Sequence, residues 1–302
     1  MGGAGGIGSD FVAAPIRVGL IGSGPWARAV TGPVFAAGPE TELAGVWSRT
    51  AAHAREVAKA LGVDAFEDAG ALLASCDAVA IAVAPDAQPD LAVRAAAAGK
   101  SVLLEKPIAA DIDGAHRVVD AIEQAGVGSL VMLTYRFHPG MATFVDASET
   151  FDALGGRGCF LSGAFLPGSP YARGWRLERG ALLDVGPHLI DLLEAALGDI
   201  VDVAARGDRH GWVSLTLTHE SGVTSQASLC CRAAMESRTE VELFGPSGSL
   251  RFDGREGDRR DVGVNIRTAF AAVARGGSHP ADARRGLHLQ EIIHRAERQL
   301  DG

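Results

Sequence analysis

From Ile16 onward, short apolar runs alternate with longer stretches of helical period. Ile16–Ile21 is a β-branched run that stops at Gly22, the pattern of a strand buried on both faces of a parallel sheet. The spacing then predicts a helix over Trp26–Ala37, a strand near Glu42–Trp47, and a helix over Ala51–Leu61 with Thr50 as N-cap and Gly62 as stop. A strand at Ala78–Val83 ends before Pro85, and the helix after it runs to Gly99. Ser101–Leu104 forms the next strand, Asp111 caps a helix reaching Ala125, and Gly128–Thr134 closes the series. Strand and helix alternating in this way predict an α/β domain built on a doubly wound parallel sheet, the Rossmann arrangement.

After Thr134 the texture changes. Cys159–Phe165, Val201–Ala205, Trp212–Thr218, Val223–Cys231, Thr239–Phe244 and Ser249–Phe252 read as strands joined by short turns, which predicts an open, mostly antiparallel sheet. A strong helix at Asp184–Leu197 interrupts them early, and helices at Asn265–Arg275 and Ala283–Leu300 close the chain. The Arg251–Arg260 stretch, rich in both signs of charge, reads as a solvated loop. The expected organisation is a flexible tail at 1–14, the Rossmann domain at 15–134, and an α+β domain at 135–302 whose closing helices can pack back on the first.

Composition narrows the function classes. With 47% hydrophobic and 22% charged residues, the 302-residue chain is expected to be globular and large enough for two cores, not disordered or fibrous. A net charge of −9 argues against nucleic-acid or membrane partners. Four cysteines without paired spacing give neither a disulfide framework nor a metal site, and the N-terminus lacks the basic segment of a signal peptide, so the expected location is the cytoplasm. Lysine is almost absent. Only Lys59, Lys100 and Lys106 occur, and where a compact ammonium survives among arginines its chemistry is a candidate reason.

Three segments carry that chemistry. Gly22-Ser23-Gly24-Pro25-Trp26-Ala27 is a GxGxxA turn between the first strand and helix, where a dinucleotide diphosphate meets backbone N–H groups. Pro25 suits the first helical turn, where its missing N–H costs little. An NAD site usually places an acid about twenty residues further on. Here Ser48 and Arg49 stand there instead, a pair suited to a 2′-phosphate, so NADP(H) is favoured over NAD(H). Leu104-Glu105-Lys106-Pro107 follows a strand at the carboxyl edge of the sheet, where ligands of such folds bind, whereas Lys59 and Lys100 read as solvated. Asp184, His188 and Asp191 recur at i, i+4 and i+7, one helical stripe, and Pro187 places the helix start near Asp184. His53, His116, His210, His219, His279, His288 and His294 show no ligand spacing and are expected to face solvent.

Together the GxGxxA turn, Val83-Ala84-Pro85-Asp86, the Ala98–Pro107 segment, Gly180–Asp191 and the closing Gly286–Gln290 segment resemble the Gfo/Idh/MocA oxidoreductases, the glucose–fructose oxidoreductase and inositol dehydrogenase family. The resemblance implies Lys106 between nicotinamide and substrate, His188 as proton donor or acceptor, and Asp184 assisting it. It places Ala84, Pro85, Asp86, Glu105 and Pro107 beside the cofactor, and Tyr135, Arg136, Trp175 and Arg176 near the cleft as substrate or cofactor contacts. It further implies a sugar, polyol or related alcohol as the small-molecule substrate and a homo-oligomer formed through the second sheet. Where the family often carries a histidine shortly after the Pro85-Asp86 pair, this chain reads Ala87-Gln88-Pro89. A non-catalytic dinucleotide sensor is the alternative on the same fold.

Overall fold

A computed structural model describes residues 14–300; the tail expected at 1–14 lies outside these residues except for Ala14. In the first domain β1 (Ile16–Ile21), α1 (Gly32–Ala36), β2 (Thr41–Trp47), α2 (Ala51–Leu61), α3 (Ala69–Ala74), β3 (Ala78–Ile81), α4 (Gln88–Ala97), β4 (Ser101–Leu104), α5 (Ile112–Ala125) and β5 (Ser129–Val131) follow one another. The five strands are all parallel in the order β2-β1-β3-β4-β5. Crossing from β1 to β2 on one side and to β3 on the other makes the carboxyl end of β1 the switch point of the sheet, where such folds bind ligands. The strands are apolar because helices cover both faces: Leu20, Val79, Ile81, Leu103 and Leu130 are fully buried.

Sequence expectation and structure differ in instructive places. The first helix opens as a π turn at Ala27–Thr31, with the Gly32 N–H reaching back to the Ala27 carbonyl, because Pro33 has no N–H for the carbonyl four residues before it. Thr50 occupies the cap position of α2 but its hydroxyl makes no capping bond. Asp111 does cap α5, accepting the Gly114 N–H at 2.7 Å. Helix α3, capped by Asp68, was not expected from the pattern. The last strand is shorter than expected, and the chain leaves it through a 3-10 turn at Thr134–Phe137.

The second domain contains α6 (Pro139–Ser148), β6 (Gly155–Leu161), α7 (Trp175–Leu197), β7 (Ile200–Gly207), β8 (Val213–His219), β9 (Thr224–Cys230), β10 (Arg238–Gly245) and β11 (Gly248–Asp253). Its sheet runs β11-β10-β6-β9-β8-β7 and is antiparallel throughout except for the β6–β9 pair. β6 begins four residues earlier than expected. Its glycines look like breakers in sequence, yet they make room for the helix: a Cβ on Gly158 would stand 2.7 Å from Leu189 Cδ1, and one on Gly156 3.1 Å from Leu197 Cδ1.

Helix α7 lies across the inner face of this sheet. It starts at Trp175 instead of near Asp184, and it is broken at Gly180, whose φ of 76° is forbidden to most side chains. A Cβ there would also meet the Arg209 carbonyl oxygen at 2.0 Å. Pro187 therefore sits inside the second helical segment.

Arg251–Arg260 is not one loop. Its first residues complete β11, and its last open α8 (Arg259–Ala274), which Asp258 caps well before the expected Asn265. Arg251 and Arg255 both pair with Asp253. The closing helices α8 and α9 (Ala283–Leu300) lie against the first domain, α8 through an Arg267–Glu40 ion pair and α9 through Gln290, which bonds the Ala109 backbone from both ends of its amide. Among the described residues no helix is long and apolar enough to cross a membrane.

Candidate active site

At the switch point, Gly22 follows β1 with φ 135°, and a Cβ there would lie 2.2 Å from the Ala82 carbonyl oxygen. Only glycine permits this turn. Gly24 differs: nothing lies within 4 Å of where its Cβ would point, so the backbone is bare towards open space. That space is a cleft of about 380 Å³. Its walls bring together the predicted Gly22, Gly24, Pro25, Trp26 and Ala27, the Ser48–Arg49 pair, Ala84, and the Glu105–Lys106 step. Trp175 and Arg176 join them from the second domain. Pro85, Asp86 and Pro107 do not line it: Pro85 and Pro107 are buried, and Asp86 faces solvent. Ser48 donates its hydroxyl to the Thr50 carbonyl at 2.9 Å, while Arg49 is exposed.

Lys106 reaches across the domain boundary. Its Nζ donates to Asp184 Oδ1 at 2.8 Å and to the Asp184 carbonyl at 2.5 Å. The other Asp184 oxygen, Oδ2, lies 3.3 Å from Arg176 Nε. That guanidinium stacks over the rings of Trp175 (4.6 Å) and Tyr171 (5.6 Å). Burial alone would raise the Asp184 carboxyl, but Lys106 and Arg176 outweigh it and hold the group below the usual carboxylate range.

One turn on, His188 is buried beside Tyr135 and Phe160, whose ring centroids lie 5.5 Å and 6.1 Å away. Its Nδ1 has no hydrogen-bond partner among the described residues. Burial, reinforced by the Lys106 charge, pushes its pKa well below the ordinary histidine value. A neutral imidazole beside a fixed ammonium can take a proton from a hydroxyl whose oxygen the ammonium steadies. Glu105, also buried, keeps one carboxyl oxygen unpartnered among the described residues, and burial raises its pKa to about 7 against the opposing charges of Lys106 and Arg176.

The remaining candidates are committed to protein contacts. Arg136 grips Asp191 in a bidentate pair, with Nη2–Oδ1 at 2.6 Å and Nε–Oδ2 at 3.0 Å, and Arg285 holds the same carboxylate at 2.7 Å. The Tyr135 hydroxyl accepts from Thr239 Oγ1 at 2.9 Å. Asp191 therefore anchors α7, and of the stripe only Asp184 meets Lys106.

Several solvent expectations fail. Lys100 is half-buried and donates to the Cys76 carbonyl at 2.8 Å. His219 is buried between the Gly198 carbonyl and Ser225 Oγ, and His279 stacks on Phe137. His288 meets Glu194 and Asp199 with ligand atoms within 4.8 Å of one another, although Glu194 is already engaged by Arg285 and by the Ile200 N–H. Tyr171, which carries no signal in the sequence, also shapes the cleft; His53 lines it while exposed, as expected, and Gln88 lies buried behind Glu105.

Comparison with known proteins agrees with this construction. Residues 16–133 match the family described as "Oxidoreductase family, NAD-binding Rossmann fold", and residues 157–251 match the GFO/IDH/MocA C-terminal domain. D-apiose dehydrogenase of Paraburkholderia graminis is 32% identical over 72% of this chain and 65% of its own length. A dTDP-3,4-didehydro-2,6-dideoxy-alpha-D-glucose 3-reductase of Streptomyces violaceoruber is 30% identical over 79% of this chain and 72% of its own. Among solved structures, the UDP-N-acetylglucosamine 3-dehydrogenase of Acidithiobacillus ferrooxidans superposes with a TM-score of 0.83 at 22% identity, covering 96% of this chain and 99% of that one. With both domain models matched in order and the two ends of the cleft supplied by the segments they cover, the chain belongs to the Gfo/Idh/MocA oxidoreductase family.

Proposed function

We propose that this protein is an NADP(H)-preferring oxidoreductase acting between a secondary alcohol and its ketone on a sugar, polyol or related small molecule. The observation that carries the reading is the Lys106–Asp184–His188 cluster, assembled from both domains, whose Lys106 lines the same cleft as the glycine turn. The cleft fits a dinucleotide: the open side of Gly24 and the N–H groups of the turn suit a diphosphate, and the exposed Arg49 suits a 2′-phosphate, joined by Ser48 if its hydroxyl turns from the Thr50 carbonyl. A bound nicotinamide would supply the hydride acceptor or donor. The chain supplies the rest. Neutral His188 takes the hydroxyl proton in oxidation and returns it in reduction, Lys106 holds the reacting oxygen and stabilises its developing charge, and Asp184 keeps Lys106 in place.

The absence of an acid at the end of β2 supports the cofactor preference. The outer face of the second sheet, where Trp212 and Phe244 are 47% and 40% exposed, supports a homo-oligomer as the working assembly. Thermal-shift titration with NADPH and NADH, followed by sugars and polyols added to the preferred complex, tests the assignment. NADPH should give the larger shift, and Lys106→Ala and His188→Ala should each lower turnover by about 10²-fold or more. Wild-type turnover in both variants refutes the site.

A further inference from the structure

Gln88 opens α4 with its side chain fully buried, facing the end of β4. Its Oε1 accepts the Glu105 N–H at 2.8 Å. Its Nε2 donates to the carbonyls of Glu105 (2.7 Å), Ile108 (3.1 Å) and Pro107 (3.2 Å). One amide thus satisfies four backbone groups in the short stretch that contains Lys106. A primary amide suits this arrangement because it has two N–H donors, one of them shared, and a separate acceptor on a single flat group. A neutral imidazole, which the family resemblance leads one to expect within a few residues of Pro85-Asp86, has one donor and one acceptor and at this position would leave backbone groups unserved.

We propose that Gln88 is a positioning residue for the reaction: it pins the backbone on either side of Lys106 and so sets where the ammonium meets Asp184. The inference rests on the reading of Lys106 given above. It follows from geometry. Lys106 holds Asp184 by a side chain rooted in the clasped segment, and the Glu105 N–H and the Glu105, Pro107 and Ile108 carbonyls around it all meet this one amide. Gln88 has no surface of its own in the cleft, so it acts only through the residues it holds.

The test compares Gln88→Met, which keeps the shape and loses the hydrogen bonds, with Gln88→Glu and Gln88→His, alongside Lys106→Ala. In Gln88→Met kcat should fall on the order of 10²-fold while NADPH affinity, measured by calorimetry, changes less than about threefold. The acid limb of the kcat profile should move to higher pH, because Lys106 would press less on His188 while Asp184, the other charge acting on it, remains. A crystal structure should show Lys106 Nζ displaced from its 2.8 Å contact with Asp184 Oδ1. Gln88→Glu retains an acceptor, and a donor when protonated, so it gives a folded variant where the methionine does not. Buried against three carbonyls it stays protonated, with one donor where glutamine has two, so it should show a smaller displacement in the same direction. Gln88→His should recover part of the lost kcat. A folded methionine or glutamate variant with wild-type kcat, an unmoved acid limb and the Lys106–Asp184 contact intact overturns the proposal. If Lys106→Ala itself turns over at the wild-type rate, the parent reading falls and this one with it. If Lys106→Ala is inactive and the Gln88 variants are not, only the positioning role fails.

Discussion

Glu105 is a carboxyl held away from water next to an ammonium. It is 9% exposed, and one oxygen has no partner among the described residues. Burial raises its folded pKa from 4.5 to about 7, although Lys106 and Arg176 pull it the other way. A folded pKa above the unfolded one means that the native state holds the proton more tightly. The contribution to stability is therefore complete below the unfolded pKa and disappears as pH rises through about 7. By the usual conversion the loss is on the order of 3 kcal/mol. The apoprotein should show a falling Tm between about pH 5 and 7.5, and Glu105→Gln should flatten most of that slope. Equal slopes in the two proteins refute this account.

Residues of this kind divide by how local their signal is. The places of Gly22, Lys106 and His188 were legible in the sequence because they follow from position relative to a strand end or a helix turn. Those of Gln88, Tyr171 and Arg285 were not. Gln88 is defined by carbonyls from a segment 17 to 20 residues away, and Arg285 by two carboxylates more than 90 residues away. No periodicity records such a partner.

At the scale of elements, α7 decides how the site is held. Its first segment carries Arg176, its second carries Asp184 and His188, and the Gly180 break sets the angle between them. The sequence contained Gly180, but a glycine near a helix start reads equally as an N-terminal boundary; the Arg209 carbonyl that requires it comes from a turn between β7 and β8. Likewise the glycines of β6 gained meaning only from the leucines of α7 packed on them. The lower half of α7 is fixed by Asp191, 1% exposed, between Arg136 of the inter-domain turn and Arg285 of α9. Removing one cation from a buried carboxylate is expensive. Arg136→Met should lower unfolding stability by about 3 kcal/mol in urea titration, and combining it with Asp191→Asn should cost much less than the sum of the two single changes. Additivity would show that Arg136 has another principal partner.

For the molecule as a whole, the alternation of strand and helix made the first domain legible almost strand by strand, since each βα unit is a local pattern. The second sheet was legible in its strands but not in their order: the β6–β9 pairing joins segments separated by α7, β7 and β8, and no short-range signal specifies it. Its outer surface alternates Ser214, Thr216, Gln226 and Ser228 with a few large apolar groups, which marks a face that water can wet but a second sheet could cover. Light scattering should find an assembly larger than the monomer, and Trp212→Glu combined with Phe244→Glu should shift it towards the monomer without abolishing NADPH binding. A monomeric wild-type protein would remove that face as an interface.

The placement of the indoles gives the molecule an optical use. Of four tryptophans, Trp26, Trp47 and Trp175 line the cleft and Trp212 stands on the outer sheet. The two populations are excited together but see different events. Emission from the cleft indoles can be quenched by energy transfer to a reduced nicotinamide beside them, while the colour of the fourth reports whether water still touches the outer sheet. A Trp212→Phe variant would separate the channels, so occupancy and assembly could be followed in one cuvette without a label.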